Sequence, residues 1–183
     1  MKRVLSCILI IASLFLVSCS PAKATAKKTV EAYLTALSSL DYTAANALVI
    51  KSEENLKAEI EQSKVNDKIF KNLKFEILNV SKQDDVFYVT LIIEQLSLAT
   101  VYIDTVNDYD AYVKAAKQQG KTYSDSALKA KWDEFFDARL SGSETIASFA
   151  CEAIVTNEGK ILMTSHLRNA LFGGALDAIN NNK

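Results

Sequence analysis

The chain predicts an α+β domain in which N-terminal helices pack on a curved antiparallel sheet of about four strands, with a helical pair inserted between two hairpins. Three observations carry this. Apolar residues recur at helical spacing from Lys27 to Leu48, alternate singly from Leu73 to Ile93, and alternate again from Ala147 to Leu162 after an intervening helical stretch.

The elements follow in order. Val30, Tyr33, Leu34 and Leu37 stand at i, i+3, i+4 and i+7, one stripe of an amphipathic helix ending near Leu40. Asp41 then caps a second helix through Ala44, Ala45, Ala47 and Leu48, its carboxylate accepting from free first-turn amides. A third, more polar helix is expected from Ser52 to about Ser63, on the surface, with Leu56 and Ile60 its only strongly apolar residues. From Leu73 the period changes: Phe75 and Ile77 alternate with Lys74 and Glu76, Lys82-Gln83-Asp84-Asp85 supplies a polar turn, and Val86 opens a β-rich run through Val89, Leu91, Ile92 and Ile93. Past Asp104 the helical period returns, with Tyr109, Tyr112, Val113 and Ala116 on one side until Gly120. Leu128, Trp132, Phe135, Phe136 and Leu140 form the wide stripe of a further helix before Gly142, with Trp132 expected as a core anchor. Ala147, Phe149, Cys151, Ala153 and Val155 alternate in a strand, Asn157-Glu158-Gly159 turns, and Ile161 to Thr164 returns. Leu167, Ala170 and Leu171 close with a short helix up to Gly173-Gly174.

The first nineteen residues have a different character. Lys2 and Arg3 precede an apolar run from Val4 to Val17, too short to span a bilayer and of the form of a secretory signal. The run ends in Leu16-Val17-Ser18-Cys19, which resembles the lipobox of bacterial lipoprotein signals at each position. That resemblance implies removal of residues 1–18, a diacylglyceryl group on Cys19 and attachment to the extracytoplasmic face of the cell membrane. Two or three acyl chains give lasting attachment, since each buried CH₂ contributes about 0.8 kcal/mol. Residues 19–26, small and polar around the only proline, Pro21, read as a lipidated tether. Residues 27–179 then form a single domain, and residues 180–183 (Asn180-Asn181-Asn182-Lys183) a frayed tail.

The order of elements resembles the cystatin-like cone of the nuclear transport factor two superfamily. In particular, the lipobox, Thr29-Val30-Glu31-Ala32-Tyr33-Leu34-Thr35-Ala36-Leu37, the following Leu40-Asp41-Tyr42-Thr43-Ala44-Ala45 and the closing Leu167-Arg168-Asn169-Ala170-Leu171-Phe172-Gly173-Gly174 are similar to lipoproteins of Gram-positive bacteria built on that cone. Enzymes on this cone place an Asp, His or Tyr in the pocket between sheet and helices.

Composition narrows the functions. After residue 18, 165 of the 183 residues remain, enough for one core, with 19 basic against 22 acidic side chains, a net charge of −3 and no basic stripe. Nucleic acid is therefore not an expected partner. Of three cysteines, Cys7 leaves with the signal and Cys19 is the lipid site, so Cys151 stands alone as a buried packing residue and no intramolecular disulfide is expected. Asn79-Val80-Ser81 formally matches a glycosylation acceptor and carries no weight in a bacterial lipoprotein.

No catalytic residue, metal site or cofactor is assigned. His166, the only histidine, is placed at the end of the last strand in a surface or capping role. Asp104, Asn107, Asp108 and Asp110 are oxygen-rich but lack the order and glycine of a calcium loop, and acidic residues are expected near a helix start. Tyr102, Tyr109, Tyr112 and Trp132 are the ligand-binding candidates, with Tyr123 and Phe136 nearby, although core packing uses such rings equally well. The chain has no phosphate loop, Cys-x-x-Cys pair, Gly-x-Ser-x-Gly elbow or His-Glu-x-x-His helix. The expected function is a non-enzymatic binding or scaffold domain for a protein partner or small ligand, with a homodimer open. The alternatives are a small isomerase, lyase or hydrolase, and an immunity or accessory lipoprotein.

Overall fold

The computed structural model describes residues 21–50 and 59–181. Cys7, Cys19, Leu56 and most of the helix expected from Ser52 lie outside them. The described chain is α+β, with seven helices and a four-stranded antiparallel open sheet of order β1-β2-β3-β4.

Helix α1 spans Pro21–Ser38, so residues 21–26 of the segment expected as a tether are helical, and Ala26 is already buried. The physical reason is that proline suits the first helical position, where its missing N–H would have no partner. Ala26, Val30, Tyr33, Leu34 and Leu37 make the buried stripe. The helix ends in a Schellman turn: Leu40 takes the left-handed conformation (φ 61°), while the Asp41 N–H donates to Ala36 O and the Leu40 N–H to Leu37 O. Helix α2 (Tyr42–Ala47) follows, capped by the Asp41 carboxylate, which accepts from Ala44 N at 2.9 Å.

Residues 59–63 are not helical. Ile60 is buried there because the Asn46 side chain both accepts from its N–H and donates to its carbonyl, each at 2.9 Å. Helix α3 (Lys64–Phe70), which the periodicity left unassigned, starts at the Ser63 cap and buries Ile69 and Phe70. Tyr42 Oη donates to Asp67 Oδ1 at 2.7 Å and joins α2 to α3.

Strands β1 (Lys74–Gln83) and β2 (Val86–Leu96) form the first hairpin, turning at Asp84 with φ 52°. Phe87, Val89, Leu91 and Ile93 point into the core. The register of β1 slips between Ile77 and Asn79, a bulge that leaves Leu78 exposed and brings Val80 opposite Val89.

Helix α4 (Leu98–Gln118) begins six residues before Asp104, because Ser97 caps it and Leu98, Val101 and Thr105 enter the core at helical spacing. Helix α5 (Asp125–Gly142) runs back along it. The pair forms an arm whose two ends meet: Leu96 lies opposite Ile146, and the Ser97 N–H donates to Thr145 O at 2.8 Å. Of α5 only Leu140 is buried. Trp132 is half-buried, so it is not a core anchor; its ring packs on Tyr102 and Tyr109 of α4, whereas Leu140 at the end of the same stripe enters the main core.

Strand β3 (Ile146–Thr156) pairs with β2 over its whole length, and Cys151, Ala153 and Val155 face inward as the alternation requires. Strand β4 is only Ile161–Leu162, shorter than the expected return to Thr164. Helix α6 (Ser165–Leu171) begins immediately after its Thr164 cap, and α7 (Ala175–Asn181) carries helix into the segment expected to fray.

The turn from α6 to α7 sets a tight packing point. Gly173 has φ 56°, the Gly174 N–H reaches back to Asn169 O, and a Cβ on Gly173 would overlap Leu96 O and lie 2.7 Å from Leu98 N. Gly120 occupies the same kind of turn with nothing within 4 Å. Gly173→Ala should therefore cost about 1–2 kcal/mol for the left-handed backbone plus about 1–3 kcal/mol for overpacking, whereas Gly120→Ala carries only the first. Urea denaturation of both variants checks this, and equal losses would contradict the packing described.

Candidate functional site

A groove of about 640 Å³ follows the edge of the sheet along β3 and is walled by α6 and α7. It arises from unequal strand lengths. Thr156 N donates to Lys160 O, which turns the polar backbone groups of Thr156 toward β4. In an antiparallel strand these groups alternate sides, so those of Ile154, Glu152, Ala150 and Ser148 point the same way. Leu162 lies opposite Ile154, and β4 ends there. Among the described residues no strand lies beside Ser148, Ala150 or Glu152 on that side.

The wall is held rigidly. Asn169 Nδ2 donates to Asp177 Oδ2 at 2.7 Å, and the Asp177 N–H donates to Asn169 Oδ1 at 3.2 Å, clamping α7 to α6. Behind the wall, buried Gln95 of β2 donates through Nε2 to Ala170 O, while its Oε1 has no partner. Glu152 and Asp177 are the carboxylates of the groove, and among the described residues no lysine or arginine lines it.

Cys151 and His166, fifteen positions apart, both border this groove. Their chemistry differs from that of a nucleophile and its base. Burial, followed by the nearby charge of Glu152, pushes the Cys151 thiol up to about 12, so the thiolate is scarce near neutrality. His166 is exposed on the first turn of α6, not at a strand end, and the helix is capped by Thr164, whose Oγ1 accepts from Leu167 N at 3.1 Å.

The aromatic candidates gather in the arm. Tyr102 and Tyr109 meet Trp132 edge-on, with centroids 5.9 and 5.4 Å away. Tyr112 belongs to a separate group with Tyr123 at 5.5 Å and Phe135 at 6.0 Å, under the Lys131 ammonium. These rings are half-buried and fill the seam between α4 and α5. Phe136 instead packs against the main core. Two members of the acidic cluster meet a cation: Arg139 donates to both Asp108 oxygens at 2.6 and 2.8 Å, with Asp104 3.9 Å away. That hydrogen-bonded guanidinium lowers the Asp108 pKa. Among the described residues no group of three or more His, Cys, Asp or Glu side chains could hold a metal ion.

Neither Cys151 nor His166 points to the groove in the sequence, because nothing in their spacing joins them. The groove's signal would have been the shortness of the strand after Gly159. No protein-family model, curated protein or solved structure matches the chain.

Two outcomes follow. Alkylation of Cys151 by iodoacetamide at pH 8, read by peptide mass spectrometry, should be at least about a hundredfold slower in the native chain than in urea. Trp132→Ala should cost about 1–2 kcal/mol in urea denaturation, below the about 3–5 kcal/mol of a fully buried aromatic, because the ring is half-exposed on an arm.

Proposed function

We propose that this chain is a lipid-anchored extracytoplasmic binding domain of the cystatin-like cone type. In this reading it is held on the outer face of the cell membrane through Cys19 and uses the β3 groove as its binding surface. The observation that carries the anchor is Leu16-Val17-Ser18-Cys19 at the end of the apolar run. No helix among the described residues is long and apolar enough to cross a membrane.

Binding is favoured over catalysis by the surroundings of the groove. An acid or base tuned for the cone pocket would be a carboxylate buried beside a second polar group. Among the described residues every aspartate and glutamate is at least partly exposed, and the groove's thiol is held neutral.

Cys19→Ala tests the anchor. In a bacterial host fed labelled palmitate, the variant should lose the label and leave the membrane fraction or remain unprocessed. Undiminished label in the variant would overturn the reading.

A further inference from the structure

The two edges of the sheet are unlike. On β1 the outer edge carries Lys74, Lys82 and the Leu78 bulge, devices that discourage another strand from pairing. On β3 the open stretch Ser148-Phe149-Ala150-Cys151-Glu152 has no lysine, no proline and an unbroken register with β2. Its backbone donors and acceptors at Ser148, Ala150 and Glu152 face the groove, over about 14 Å at the ordinary rise of about 3.4 Å per residue.

We propose that the groove receives an extended, basic peptide segment of another protein, which adds to β3 as a fifth strand. The proposal deepens the reading of this groove as the binding surface by naming its ligand class. Strand addition satisfies the outward backbone groups of Ser148, Ala150 and Glu152. The charge follows from Glu152 and Asp177, which line the groove with no lysine or arginine among the described residues of its lining to oppose them.

A second copy of the chain fits less well. Each β3 lies behind its own wall of α6 and α7, so neither copy can lay its β3 into the other's groove without displacing that wall. A single peptide strand carries no wall of its own that would have to move.

The test uses the full chain in dodecyl maltoside and a fluorescein-labelled peptide, acetyl-Lys-Val-Lys-Val-Lys-Val-Lys-amide. By NMR hydrogen exchange, the Ser148, Ala150 and Glu152 amides should exchange rapidly alone and at least tenfold more slowly with peptide. The Phe149 and Cys151 amides, directed at β2, should be slow in both states. Methylating the three valine nitrogens, or instead the three inner lysine and C-terminal lysine nitrogens, should weaken binding at least tenfold in one isomer and less than threefold in the other, since alternate N–H groups face β3.

Ala150→Pro removes one outward N–H without touching the β2 ladder and should reduce affinity at least tenfold. If that variant does not fold, the exchange measurement on the native chain still decides. Equal loss in both methylated isomers, protection confined to the arm, or no binding at millimolar peptide would each overturn the proposal. So would protection of Ser148, Ala150 and Glu152 in a peptide-free dimer seen by sedimentation. Failure of these arms with palmitate label intact at Cys19 refutes the ligand class alone, and loss of the anchor with peptide binding intact refutes the anchored reading alone.

Discussion

The pairing of β2 with β3 is the constraint on which the rest of the molecule depends. These strands are separated by the whole α4–α5 arm, yet they run in register from Val86 opposite Thr156 to Leu96 opposite Ile146. Closing so long an excursion costs chain entropy that grows only slowly with its length, and the apolar pairs Phe87 with Val155, Val89 with Ala153 and Leu91 with Cys151 offset it on the core side. The same register brings Leu96 and Leu98 to where Gly173 must pack, and so fixes α6 and α7 against the sheet. A one-residue slip would turn every inward side chain of β3 outward, and the wall of the groove would lose its seat.

That arrangement separates two kinds of surface. The α1 face is a dry core with Leu34, Leu37, Val89, Leu91 and Val155 fully buried. The arm has little of this; its rings stack on each other in the seam, and its charges pair along α5, as Lys129 does with Asp133 at 2.7 Å. Exposed pairs of that kind contribute little to stability. The arm is therefore held mainly by its neck, where Ser97, Thr145 and the buried Leu98, Val101 and Leu140 meet the body.

Much of the fold was legible in the sequence because period reports the face that is buried. The change at Leu73 and the alternation from Ala147 to Val155 follow directly from a sheet covered on one side. What escaped was set by boundaries. Ser97 starts a helix inside a buried stretch, since Gln95, Leu96, Ser97 and Leu98 are all buried and no period shows between Ile93 and Val101. Pro21 reads as a loop by composition and acts as a helix start by position. Ser63 was expected to end a helix and instead caps one, since α3 has only seven residues, too few for a clear period. Trp132 shows the limit of a stripe: spacing says that one side is covered, and only the fold says that the cover is another helix of the arm.

The groove was illegible for a stronger reason, since it is made by what stops. Ile161 and Leu162 pair with β3, then Thr164 caps a helix, so β3 loses its neighbour beyond Ile154. No single residue encodes that vacancy. It follows from a cap placed three residues after a strand begins, together with the Asn169–Asp177 clamp that keeps α7 beside the edge. An edge left without lysine, bulge or proline is a liability to a soluble protein unless something covers it. The wall of α6 and α7 covers it against a second domain edge while leaving room for one strand, which turns a hazard of sheet architecture into a selective opening.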